Sequence, residues 1–143
     1  MNFGKYAILT STRYTFEKEP TWYWEIKPVS SGMELERSKF LLHNRVVVDA
    51  SGNRRELPPT WLEIAHREIA LTFGGTNIPV EDKPVEDGGK PLVEAGTSTA
   101  EIEKVLRGMP QEMVWEIWTA VGQSYPEWGP ANPNPTRPPE ETD

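Results

Sequence analysis

The sequence predicts an α+β fold: a small antiparallel sheet from the N-terminal half, about four helices packed with it, and a Pro-rich extended C-terminal tail. Three observations predict this. Large apolar residues recur at period two early in the chain, apolar stripes at helical spacing follow in four later segments, and six prolines crowd the residues after Gly122. A chain of 143 residues holds one core. Residues 1–122 are expected to be a single globular domain with a long flexible connector at 79–97, and residues 123–143 a tail, extended or disordered.

Residues 12–29, TRYTFEKEPTWYWEIKPV, read as strand, turn and strand. Tyr14 and Phe16 alternate with polar neighbours, a Pro-containing turn follows, and Trp22, Trp24 and Ile26 then share one face. Aromatics at this spacing can form a stacking platform, but they are also the ordinary inner face of a half-buried strand. Ser31 with Glu34 three residues on predicts a helix start with a capping box. Met33, Arg37, Phe40 and Leu41 lie near one face of that helix, with Leu35 and Leu42 a heptad apart beside them. Val46–Val48, the turn Ser51-Gly52-Asn53 and Arg54–Leu57 predict a hairpin.

Thr60 and Glu63 predict a second capping box, and Leu62, Ala65, Ile69 and Phe73 form a stripe that Trp61, Ile64 and Leu71 widen. Gly74-Gly75 is expected to stop this helix in the left-handed conformation. Residues 79–97 carry three prolines and three glycines without periodicity and are expected to be a mobile connector. Ser98 and Glu101 form a third box ahead of Ile102, Val105, Leu106 and Met109, and Gly108 ends that helix. Pro110 suits the first turn of the last helix. Along it Met113, Ile117 and Val121 form one row and Val114 and Trp118 another, leaving Trp115 off both and exposed.

A net charge of −7 disfavours non-specific contact with nucleic acid, and Arg54-Arg55 is the single adjacent basic pair. Cysteine is absent, so disulfides, thiolate nucleophiles and Cys-based metal sites are excluded. The first residues lack a signal-peptide pattern and no apolar run reaches membrane-spanning length, so a soluble cytoplasmic protein without membrane contact is expected.

Gly74-Gly75 resembles a phosphate loop, but it follows a helix rather than opening one, and the carbonyl end of a helix repels phosphate. No Walker lysine stands beside it. Glu63 and His66 have the E-x-x-H spacing of a di-iron ligand pair, but no second such motif occurs, and Glu63 is expected to cap its helix and pair with Arg67. Neither a G-x-S-x-G turn nor a distinguishable acid pair supports hydrolase chemistry. No catalytic, cofactor or metal residue is predicted. Pro135-Thr-Arg-Pro138 fits P-x-x-P, though the tail reads better as solvated spacer, while Tyr125 and Trp128 with the preceding helix suggest a docking segment.

The phrases KPVSSGMELERSKF, EIALTFGGTNIP and EIEKVLRGMPQEMVWEIWTAVGQSYPEWGP, in this order and over roughly residues 20–130, resemble the tail assembly chaperones, or closely related small tail-module proteins, of long-tailed bacteriophages. The resemblance implies a non-enzymatic protein of the bacterial host cytoplasm that coats the tape measure protein, keeps its long apolar helix soluble and recruits tail tube subunits. It also implies a C-terminal part often extended by programmed frameshifting, and allows a homo-oligomer. The contact region would then be residues 110–128, with Trp115, Trp118, Tyr125 and Trp128 as partner-binding aromatics. The rival readings are a structural virion component or adaptor of the tail or neck and, more remotely, a small hydrolase.

Overall fold

The computed structural model describes residues 10–43 and 45–130. The N-terminal strand–turn–strand forms as expected: β1 (Thr12–Thr15) pairs antiparallel with β2 (Tyr23–Ile26), placing Tyr14 opposite Trp24. A third strand, β5 (Phe73–Thr76), pairs with the other edge of β2, giving the order β1-β2-β5. Between β2 and β5 run α1 (Ser31–Leu42), the hairpin β3 (Arg45–Val48) and β4 (Arg54–Leu57), and α2 (Trp61–Leu71). After β5 come a long loop, α3 (Thr99–Arg107) and α4 (Gln111–Ser124). The fold is α+β, with four helices and two small antiparallel sheets among the described residues.

The core lies between the inner face of the three-stranded sheet and the helices. Trp24 and Ile26 are fully buried, and Trp24 meets Phe73 edge-on at 5.0 Å. The apolar rows of α2, α3 and α4 close over them through Ile64, Ile69, Ile102, Leu106, Ile117 and Val121. Tyr14 Oη donates to Glu116 at 2.6 Å and Lys18 pairs with Glu112 at 2.8 Å, tying α4 to β1 and the turn after it. Burial, reinforced by the Glu116 carboxylate, pushes the Tyr14 phenol up.

Helix starts follow the sequence closely, with two shifts of one residue. Thr60 and Glu63 cap α2 reciprocally, whereas the expected Ser98–Glu101 box is half formed: Ser98 Oγ accepts from Glu101 N–H without a return bond from the Glu101 side chain. In α1 the cap is Ser30 rather than Ser31, accepting from Met33 N–H, which frees the Glu34 carboxylate for a long-range contact. Pro110 is the N-cap of α4 rather than its first-turn residue.

Gly74-Gly75 is not the helix stop. α2 ends at Thr72, whose buried hydroxyl donates to Glu68 O at 2.7 Å. The glycines instead lie in β5 against a β-bulge at Glu25/Ile26. A Cβ at Gly74 would stand 3.2 Å from Glu25 Cβ, so glycine lets β5 approach β2 closely there. Thr76 and Asn77 then bond the β2 backbone through their side chains, with Tyr23 N–H donating to Asn77 Oδ1 at 2.7 Å.

The expected connector at 79–97 is a stapled loop. Pro79 bridges Pro91, Val80 N–H donates to Lys90 O at 3.0 Å, and Leu92 N–H donates to Ile78 O at 2.6 Å. Ile78 and Val93 at its base are core residues. Its Pro and Gly content hid this order, because the loop is closed by backbone bonds and two isolated apolar anchors rather than by a periodic face. The expected tail also divides. Residues 123–130 complete α4 and fold back onto the core, so the predicted boundary at 122 falls inside a packed element; residues 131–143, with their P-x-x-P, lie outside the described residues. Among the described residues no helix is long and apolar enough to cross a membrane.

Candidate functional site

The predicted docking aromatics lie mostly inside the molecule. α4 buries Val114, Ile117, Trp118, Ala120 and Val121, as its two apolar rows require. Trp118 is 2% exposed. Its ring stacks on Trp61 at 5.9 Å, and Trp115 meets both rings edge-on at 5.4 and 5.8 Å. Trp115 is 41% exposed, as its place off the rows predicts. Trp118 and Trp128 therefore cannot act as exposed anchors: Trp128 is 1% exposed, and Tyr125 is half-buried against the core.

What draws Trp128 inside is a buried polar centre that sequence reasoning missed. Glu68 of α2 is 1% exposed and Arg37 of α1 8%. Arg37 Nε donates to Glu68 Oε2 at 2.8 Å, while Trp118 Nε1 and Gly129 N–H donate to Glu68 Oε1 at 2.8 and 2.7 Å. Arg37 also donates to Glu127 O at 2.9 Å and stands over the Trp128 ring at 5.1 Å. Trp128 Nε1 donates to Glu34. A buried ion pair costs desolvation unless its remaining sites are filled, and here backbone and indole donors fill them.

The chain reaches this centre through a close backbone crossing. Gly129 has φ +81°, and a Cβ there would stand 2.4 Å from Gly122 Cα. Glycine at both positions lets the turn after α4 lie against its last helical turn. A signal for the centre was present in the sequence. Arg37 sits among Met33, Phe40 and Leu41, and Glu68 among Ile64, Ala65 and Ile69, so two stripes each carry one charge of opposite sign.

A second cluster lines a cleft of about 480 Å³ where α1, α2 and α3 meet, walled by Phe40, His66, Arg67, Glu103 and Arg107. Arg67 pairs with Glu103 of α3 at 3.3 Å and lies over Phe40 at 4.8 Å. Burial, then the Arg107 charge, pulls the His66 imidazole below its ordinary value. Burial pushes the Glu103 carboxyl up against the opposing pull of Arg67 and Arg107. The charges compensate one another across the α2–α3 contact, which is the chemistry of a helix joint. No group of three or more acids and histidines poised for a metal occurs among the described residues.

No family model, curated protein or solved structure matches the chain. Surface aliphatics stand elsewhere: Leu35 and Leu42 on α1 are 56% and 84% exposed, and Val46, Val47 and Val48 of β3 and Val80 of the long loop are also exposed.

Proposed function

We propose that this chain is a non-enzymatic bacteriophage tail assembly chaperone that binds the tape measure protein in the host cytoplasm and assists tail tube assembly. The resemblance in element order and phrasing over residues 20–130 suggests the partner, and Trp115 carries the reading. It is the exposed member of a three-tryptophan cluster whose other rings are held by packing. An aromatic anchor fixed before binding loses little conformational entropy when a partner helix covers it. Residues 110–128 therefore keep one of the four predicted contacts, Trp115, and spend the others on holding it.

Co-expression with the tape measure protein tests this. A soluble complex is expected with the wild-type chain, and Trp115→Ala is expected to weaken it at least tenfold while leaving the fold intact. A tape measure protein that stays insoluble, or a complex indifferent to Trp115, contradicts the proposal. Mass spectrometry of purified virions separates a chaperone, absent from the particle, from a retained structural or adaptor protein.

A further inference from the structure

We propose that the β3–β4 hairpin binds a second copy of this chain, seated in the acidic groove between the Glu19–Trp22 turn and the loop after β5. The hairpin exposes Val46 (50%) and Val48 (61%), and its register sets Arg54 opposite Val48 and Arg55 opposite Val47. Partners in an antiparallel ladder share a face, so Val48 and Arg54 stand side by side on one face near the tip and Val47 and Arg55 on the other, giving the hairpin an aliphatic and a guanidinium group on each side. The turn is closed by its own acid: Asp49 Oδ1 accepts from Ser51 and Asn53 N–H, both at 2.9 Å. No ion pair joins Arg54 or Arg55 to another described residue. The sole adjacent basic pair of an acidic chain is thus held out on a self-contained element with exposed valines.

The groove has the complementary chemistry. It encloses about 430 Å³, with Trp22, Val80 and Val85 on its apolar walls and Glu19, Glu81, Asp82 and Glu86 at its rim. Val80 is 54% exposed there. Neither lysine of this loop, Lys83 or Lys90, lines the groove, and Lys83 lies along Gly88. The loop is stapled at its base by Pro79–Pro91, so the groove is formed before a partner arrives. A hairpin carrying valines and two arginines meets an apolar floor with an acidic rim, and both halves belong to every copy. Because every copy carries both patches, the contact closes reciprocally in a two-fold dimer or runs head-to-tail into rings or open chains.

The net charge of −7 makes the test discriminating. Copies of so acidic a protein repel overall, and salt relieves that repulsion, so a non-specific contact strengthens as salt is added. The hairpin–groove contact must instead weaken. Sedimentation of the full chain across a salt series is expected to show an average mass at least about twofold higher at low salt than at high salt. The chain carrying Arg54→Glu and Arg55→Glu, and the chain carrying Glu81→Lys and Glu86→Lys, are each expected to lose that gain. Their equimolar mixture is expected to recover it, since each hairpin then meets a groove of opposite charge. Wild-type chain that stays monomeric, or a mixture that does not recover, overturns the proposal. A photoreactive side chain at position 48 of the otherwise unaltered protein reads the contact without charge reversal. Cross-links to residues 79–86 of another copy are expected, and their absence counts against it. Trp115→Ala lies outside both patches and leaves self-association unchanged, so this proposal and the tape measure contact fail separately.

Discussion

The turn Tyr125–Pro130 and the β3–β4 hairpin invert what their compositions suggest. The hairpin has three consecutive valines, and the turn has two prolines, an acid and a single tryptophan. Yet Val48 is 61% exposed and Trp128 is 1% exposed. The difference lies in where their backbone and polar groups find partners. The hairpin satisfies its own backbone through the ladder, so it stands without a neighbouring surface. The turn has no ladder: Tyr125 and Trp128 N–H bond locally to Val121 O and Tyr125 O, while Glu127 O, the Trp128 indole and Gly129 N–H find partners in Arg37, Glu34 and Glu68. An irregular segment is buried here because the core supplies hydrogen bonds that water would otherwise supply.

The largest effect expected follows from removing the centre of that clasp. Glu68→Ala leaves Arg37 buried without its carboxylate and the Trp118 and Gly129 donors unpaired. A loss of about 3–5 kcal/mol is expected in denaturant unfolding. Next, Trp128→Ala empties a fully enclosed site and is expected to cost about 3–5 kcal/mol, against about 1 kcal/mol for Trp115→Ala, whose ring is partly in water. Equal costs would erase the distinction between the tryptophan that holds and the tryptophan that is held out.

Glycine gives a finer comparison, because each region has one in nearly the same backbone conformation. Gly52 at the hairpin tip has φ +82° and nothing within 4 Å of an added Cβ, while Gly129 has φ +81° and faces Gly122. Gly52→Ala should cost about 1 kcal/mol from the backbone alone. Gly129→Ala should cost about 2 kcal/mol or more, since the crossing with α4 must also open. Melting temperatures of the two variants measure the gap directly.

The smallest effect is the pH dependence from His66. Its folded pKa lies below the ordinary 6.5, so below that value the unfolded chain binds more protons and stability falls as pH falls. His66→Gln is expected to shallow the decline of melting temperature between pH 7 and pH 5. An unchanged slope would show that the imidazole gains its proton without resistance from burial or Arg107.

Elements with a local signal were legible in the sequence. The period-two aromatics of β1 and β2, the hairpin around Ser51-Gly52-Asn53, the Thr60–Glu63 cap and the apolar rows of α4 each reside in a few neighbouring residues. The failures share a cause of the opposite kind. Gly74-Gly75 is explained by Glu25 across the sheet, the stapling of 79–97 by Ile78 and Val93, and the burial of Trp128 by Glu34, Arg37 and Glu68. Glu25 lies about fifty residues from the glycines, and Glu34, Arg37 and Glu68 lie sixty or more from Trp128, while Ile78 and Val93 are two isolated apolar residues at the loop's own base. Period and composition carry no record of such pairs, apart from the two charges stranded on apolar stripes. The prediction that the C-terminal aromatics form one contact surface failed for this reason: the core claims the whole rings of Trp118 and Trp128 and part of Tyr125, leaving Trp115 the most exposed of the four.

Hydrogen exchange at the Gly129 amide tests the central claim most directly. The account has that N–H donating to a carboxylate inside the core, so it is expected to exchange as slowly as the buried amides of α4 and far more slowly than outward-facing amides of the β3–β4 hairpin. Exchange of Gly129 at the hairpin's rate would mean that the turn is not held by Glu68, and would return residues 125–130 to the tail.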